Sequence, residues 1–221
     1  MTKQILCITY RDWALKIYEM LADTLPQYNF KIIFDTPEGT DTLAIKTFQP
    51  DIILWYGWSW IIPASIVEQY DCICLHPSPL PQYRGGSPLQ NQILNGEKNS
   101  AVTIFKMSSG LDEGDIIRQI PMSLKGNIEN IFSRMTTLGF GATCDFLKNG
   151  YNLKPQDHSA ATLFKRRKPS DSEITLDEIQ NQTREYLYNK IRMLTHPYPT
   201  AFIKDKDGKR LYITSAHIDG N

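Results

Sequence analysis

Residues 51–88 read DIILWYGWSWIIPASIVEQYDCICLHPSPLPQYRGGSP. Two runs in this stretch, Asp51 to Tyr56 (DIILWY) and Asp71 to His76 (DCICLH), are apolar almost throughout instead of alternating. Runs of that kind are strands buried on both faces, the pattern of a parallel sheet covered by helices. Pro77 closes the second run, and the loop after it is rich in proline and glycine.

Upstream, Ile5 to Tyr10 (ILCITY) predicts a first strand, followed by a helix carrying Trp13, Ile17, Met20, Leu21 and Leu25 near helical spacing. Lys31 to Phe34 (KIIF) predicts a second strand, ended by Pro37 and Gly39. Downstream, Ser87 and Pro88 suit the N-cap and first position of a helix that Gly96 ends. Val102 to Met107 and Ile116 to Ile120 predict strands flanking the loop SSGLDEGD, and a long helix fits between Gly126 and Gly150. The composition shifts near residue 155. A polar connector, KRRKPSD at 165–171, precedes a capping-box pair, Thr175 and Glu178, which opens a helix expected to run to about Leu194. Its inward positions are expected to be Leu176, Ile179, Leu187, Ile191 and Leu194. The stretch AFIKDKDGKRLYIT, 201–214, has a D-G turn between strand-like runs and predicts a β-hairpin. The expected class is α/β: a Rossmann-like, mostly parallel sheet with helices on both faces, plus a small C-terminal helix and β-hairpin appendage. Residues 1–160 form the expected catalytic domain, and 161–221 the connector, helix and hairpin.

The 221 residues carry 24 Lys and Arg against 24 Asp and Glu. A balanced charge gives no electrostatic argument for a nucleic-acid or membrane partner. At 41% hydrophobic and 11% aromatic the chain is globular in composition, and no apolar run approaches a membrane span. Cys7, Cys72, Cys74 and Cys144, with no signal peptide ahead of them, read as reduced thiols in a cytoplasmic protein. The first strand–helix turn is TYRDW, so the dinucleotide fingerprint is missing, and neither a P-loop nor a G-x-S-x-G elbow occurs. Dehydrogenase, P-loop NTPase and α/β-hydrolase readings therefore fall.

Ligands of a doubly wound sheet bind beyond the carboxyl ends of its strands, and His76 ends one. Cys72, Cys74 and His76 are spaced by two and share a strand face. A C-x-C-x-H metal site is one reading and a satisfied strand-end histidine another. The metal reading suffers because two of its ligands would point into the core, and no second ligand cluster appears. Asp112, bracketed by Gly110 and Gly114, can present a carboxylate from a sharp bend. A histidine is the usual proton acceptor at neutral pH, and a carboxylate can orient it.

HPSPLPQYRGGSP at 76–88, followed by QNQILNGEKNSAVTIFKMSSGLDEGDI, resembles the core of the folate-dependent N-formyltransferases, whose pattern is N-x-H-P-S-x-L-P-x-x-R-G and then an L-D-x-G loop. The 36 residues from His76 to Asp112 match the family spacing. The resemblance covers about residues 50–200, extends to KRRKPSDSEI and IRMLTHPYPTAF, and is weak upstream, where the amino-terminal part is shortened against the family. It implies formyl transfer from 10-formyltetrahydrofolate, as cosubstrate and without a metal, to a primary amine. His76 would accept the amine proton or stabilise the tetrahedral intermediate; Asp112 would orient His76, position a water and touch the cosubstrate. The family asparagine, an oxyanion donor, is replaced by Cys74, a weaker one. Cysteine is tolerated with other groups carrying the oxyanion, or the chain is a degenerate binder of folate or sugar nucleotide, or Cys74 takes the formyl group transiently.

By the same resemblance the pterin lies against Trp58, Ser59, Trp60 and Ile61, with Leu80 and Pro81 beside it, while Arg84 holds a phosphate or the substrate. The two tryptophans also suit ordinary core packing, and Arg84 a structural salt bridge. The GGSPLQN stretch and the THPYPTAF ending look most like the nucleotide-sugar members, so a nucleotide-linked amino dideoxy sugar is the expected acceptor. A tRNA acceptor is not expected, because the basic C-terminal domain of those members would begin near Asn221. KRRK is read as a solvated connector. The alternatives are a siderophore-type or glycinamide-ribonucleotide-type amine. A homodimer through the C-terminal hairpin is expected, with no membrane or nucleic-acid partner.

Overall fold

A computed structural model describes residues 2–35 and 42–219. The sheet has six strands: β1 (Gln4–Thr9), β2 (Asn29–Phe34), β3 (Ile52–Leu54), β4 (Cys72–His76), β6 (Asn99–Lys106) and β7 (Ile116–Ser123). A two-residue β5 (Arg84–Gly85) lies outside it. The spatial order is β2-β1-β3-β4-β6-β7. The first four run parallel, while β6 pairs antiparallel with β4 and β7 antiparallel with β6. The α/β class and the mostly parallel sheet are as expected. Pro37 and Gly39, expected to end the second strand, lie outside the described residues.

The unbroken apolar runs do split by face. Ile5, Cys7, Ile52, Leu54, Ile73 and Leu75 join one core, against α1 (Asp12–Thr24) and α5 (Ile128–Asn149). Leu6, Ile8, Ile53, Trp55 and Cys72 join another, with Ile45 of α2 (Thr42–Phe48) and Ile66 of α3 (Ala64–Gln69). Period-two alternation between two apolar environments explains why no polar face shows in these strands. In α5, Asn127 and Asn130 form a reciprocal capping box, and Gly150 follows at the expected stop.

Helix α4 (Pro88–Leu94) begins after Ser87, whose φ is +52° and whose side chain caps nothing in the helix; its Oγ accepts from Arg167 N instead. The helix expected from Thr175 to Leu194 is two: α6 (Leu176–Asn181) and α7 (Arg184–Arg192). Thr183 caps the second by accepting from Tyr186 N, a competing start signal within the periodic stretch. The break corrects the expected inward face. Leu176 and Ile179 are exposed, whereas Leu187 packs on the core and Ile191 and Leu194 are buried. The hairpin forms as read, β9 (Phe202–Lys204) against β10 (Arg210–Tyr212). Ile174, Ile191, Met193, Leu194 and Ala201 share the α1–α5 core, so the C-terminal segment is packed onto the sheet. No helix among the described residues is long and apolar enough to cross a membrane.

Candidate active site

The carboxyl ends of β1, β3 and β4 open into a cleft of about 770 Å³, at the switch point where strand order reverses. Its floor is the end of β4. Cys74 and His76 line it, while Cys72, expected on the same face, lies in the core with Leu6, Ile8 and Trp55.

His76 is 6% exposed. Its Nε2 lies 2.8 Å from Tyr83 O, and its Nδ1 lies 3.5 Å from Asp112 Oδ2. A backbone carbonyl only accepts, so Nε2 donates to it and Nδ1 is the nitrogen that faces the carboxylate. The loop that supplies this carbonyl is tied down at several points. Ser78 Oγ donates to Gln82 O (2.7 Å), Gln119 Nε2 to Leu80 O (2.9 Å) and Tyr83 N to Thr162 Oγ1 (2.8 Å). Tyr83 stacks on Phe164 at 4.8 Å between centroids.

Asp112 sits at φ +52°, a left-handed conformation that aspartate tolerates better than most residues. Gly85 N donates to its Oδ2 (2.8 Å) and Gln156 Nε2 to its carbonyl (2.9 Å). Gly114 lets the loop fold this tightly, since a Cβ there would stand 1.7 Å from Lys106 O.

Cys74 Sγ donates to Trp55 O at 3.2 Å, so the thiol proton is spent on the neighbouring strand. Burial first, and the Asp112 carboxylate second, push its pKa well up. The group is a neutral thiol, not a nucleophilic thiolate.

Of the residues expected at the cosubstrate, Trp58, Ser59, Trp60 and Ile61 line the cleft. Tyr10 packs edge-on to Trp58 and Trp60, and its hydroxyl meets Ser59 Oγ at 2.5 Å. Leu80 does not line the cleft; it is buried under the floor with Phe105 and Ile116, and Pro81 follows it in the same loop. Arg84 also turns away. Its guanidinium donates to Gln156 Oε1 (2.7 and 3.1 Å), meets His158 Nδ1 (3.2 Å) and lies 3.5 Å from Glu113 Oε1. That is the structural pairing weighed against the phosphate reading.

The sequence left several parts unassigned. Gln156 ties Arg84 to the Asp112 loop. Lys165, Arg166 and Arg167, read as a solvated connector, line the cleft, and Arg166 Nη2 donates to Ser59 O. The connector reaches the site because β8 (Leu163–Phe164) pairs with β5. A Cβ on Gly85 or Gly86 would come within 2.4 Å of Phe164 O or of the Arg166 backbone. The Gly-Gly pair was a visible signal of close backbone approach, though it does not say which segment approaches. Among the described residues, no group of three His, Cys, Asp or Glu is placed to hold a metal.

The family model for formyl transferase matches residues 37–135. A solved structure of methionyl-tRNA formyltransferase from Clostridium thermocellum is 33% identical, with a TM-score of 0.83 over 96% of this chain and 97% of that one. This chain belongs to the formyl transferase family. A curated relative, methionyl-tRNA formyltransferase of Ehrlichia ruminantium (strain Welgevonden), is 36% identical over 176 residues, 78% of this chain and 55% of the relative. The chain thus spans about half the length of that curated formyl transferase. A sugar N-formyltransferase from Shewanella shares the fold at 19% identity, with a TM-score of 0.76 over 98% of both chains.

Proposed function

We propose that this chain transfers the formyl group of 10-formyltetrahydrofolate to a primary amine. The observation that carries the reading is the His76–Asp112 pair on the floor of the cleft, whose Nδ1 has no backbone partner among the described residues. The amine nitrogen attacks the formyl carbon, and its proton passes to Nδ1. The resulting imidazolium is held between Tyr83 O and Asp112 and faces the oxyanion. Collapse breaks the carbon–N10 bond, and the proton leaves with tetrahydrofolate on N10. The aromatic wall of Trp58 and Trp60 suits the pterin.

The acceptor we propose is a nucleotide-linked amino sugar, supported by the cationic rim of Lys165, Arg166 and Arg167, which suits a phosphate-bearing molecule. A second reading, the amino group of methionyl-tRNA, is favoured by the 36% and 33% identities to enzymes of that name. The test assays tetrahydrofolate release and product mass with dTDP-, UDP- and GDP-linked amino sugars and with methionyl-tRNA. Turnover on one acceptor, lost in His76→Asn and Asp112→Asn, is expected. Tetrahydrofolate binding without turnover on any acceptor would leave another small amine or a non-catalytic binder.

A further inference from the structure

A second cavity, of about 440 Å³, adjoins the cleft. Arg11, Trp13 and Pro197 line both, so the two spaces meet at the turn from β1 into α1. Three elements build the far side. The start of α1 brings Asp12, the start of α5 brings Glu129 and Phe132, and the turn after α7 brings His196. Trp13 and Phe132 give the cavity aromatic surface for a planar ring. Asp12 and Glu129 offer carboxylates that make no hydrogen bond or ion pair among the described residues.

Charge is sorted across the junction. The cleft side carries Arg11, Lys165, Arg166 and Arg167, whereas the groups beyond Arg11 are the two carboxylates and an imidazole. The Arg11 guanidinium lies 4.4 Å from the ring centroid of Tyr10 and 5.9 Å from that of Tyr198, and it makes no hydrogen bond or ion pair among the described residues. Packing on a ring fixes its plane and leaves its N–H fork open to a phosphate. A molecule lying across both spaces is therefore anionic in the middle and carries N–H donors at one end. Only β3 stands between β1 and β4, so the end of β1 before Arg11 is about 10 Å, two strand spacings, from the end of β4 that carries His76. A hexose and a diphosphate bridge that distance. Among the common bases, guanine alone sets two N–H donors, N1–H and its 2-amino group, side by side for a carboxylate, with the O6 acceptor next to them for a donor such as His196.

We propose that this second cavity is a nucleobase subsite that takes guanine, with the diphosphate of the same acceptor at Arg11 and its amino sugar at His76. This rests on the formyl-transfer reading and makes its acceptor a guanine-nucleotide-linked amino sugar.

The test titrates GDP, inosine diphosphate, dTDP and UDP, and separately tetrahydrofolate, into the full chain and into Asp12→Asn, Glu129→Gln and the double variant, with circular dichroism confirming the fold. Inosine diphosphate differs from GDP only in lacking the 2-amino group, so the wild type alone decides the matter if a variant unfolds. GDP is expected to bind the wild type about tenfold or more tighter than the other three nucleotides. The double variant is expected to lose that preference, and the single variants to show which carboxylate pairs with the base. Tetrahydrofolate affinity is expected to stay unchanged. GDP binding that is absent from the wild type, no tighter than that of inosine diphosphate, or unaltered in the double variant overturns the proposal, as does loss of tetrahydrofolate binding in the double variant. A wild type that binds GDP with this preference but does not bind tetrahydrofolate counts against the folate reading alone.

Discussion

At His76, a single backbone carbonyl decides which nitrogen is left to face the cleft chemistry proposed above. Tyr83 O holds the proton on Nε2, and the only nitrogen left to receive one points at Asp112. Replacing His76 with Asn, or Asp112 with Asn, is expected to lower kcat about a hundredfold or more, because general acid–base catalysis is worth that much. Asp112→Asn is also expected to leave tetrahydrofolate affinity within a few-fold, a split that calorimetry and steady-state kinetics together read. Cys74 has the opposite expectation. With its proton given to Trp55 O and its pKa pushed up by burial, Cys74→Ala is expected to keep activity within about tenfold, far above the loss at His76. Iodoacetamide labelling followed by mass spectrometry at pH 7.5 is expected to modify Cys74 much more slowly than the unfolded chain. The His76–Asp112 pair was legible because motif and spacing mark it. Tyr83 O and Gly85 N, which hold it in place, were not, since main-chain atoms leave no residue-type signal.

Among the elements, the strands could be read because runs packed on both sides are apolar without interruption. Strand direction could not: Val102–Met107 looks like the parallel strands before it, yet β6 runs against β4. The helix after Thr175 misled for a local reason, as a helical period continued across Thr183 although that residue starts a new helix. The two helices are joined by Lys190, whose Nζ lies 2.6 and 2.8 Å from the Glu178 carboxylate and 2.6 Å from Glu173 O. Burial raises the pKa of Glu178, but the bonds from Lys190 and Thr175 outweigh it and hold the carboxyl below its ordinary value. Lys190→Met is expected to cost roughly 2 kcal/mol in urea unfolding, less than for a fully buried pair because Glu178 keeps some solvent. In the active-site loop, Gly114→Ala is expected to displace the Asp112 turn, since its new methyl meets the Lys106 carbonyl. It should cost on the order of 1–3 kcal/mol and most of the activity, read by thermal melting and the formyl-transfer assay.

For the whole molecule, the central thiols set an alkaline limit. Burial pushes Cys72 up to about 11, and holds Cys7 and Cys74 well above the ordinary thiol value. An unfolded thiol ionises at about 8.5. The folded state binds these protons more tightly, so the stability they contribute is complete below about pH 8.5 and is lost as pH rises from there through the folded values. Urea midpoints are expected to fall between pH 7.5 and 10 under reducing conditions. The hairpin leaves Leu211 and Tyr212 63% and 55% exposed, and the expected homodimer through it is checked by light scattering at micromolar concentration. A monomer there removes that expectation. The apolar patterns gave the sheet and its two cores, but not the path of the connector, because a polar segment crossing a cleft resembles one in solvent until its contacts are known.

That path divides labour along the covalent chain. The pair proposed to move the proton sits in 76–112, and the cationic strap that lines the cleft sits some fifty residues later, joined to it by two glycines and a two-residue strand pairing. Phe164 stacks on Tyr83 and pairs with Gly85, so it belongs to the support of the His76–Asp112 pair, whereas under the proposed function Lys165, Arg166 and Arg167 are free to differ with the acceptor. A chain built this way is suited to diversify its chemistry by replacing a short segment, so grafting residues 165–171 from a relative, with β8 kept, is the economical route to a new acceptor.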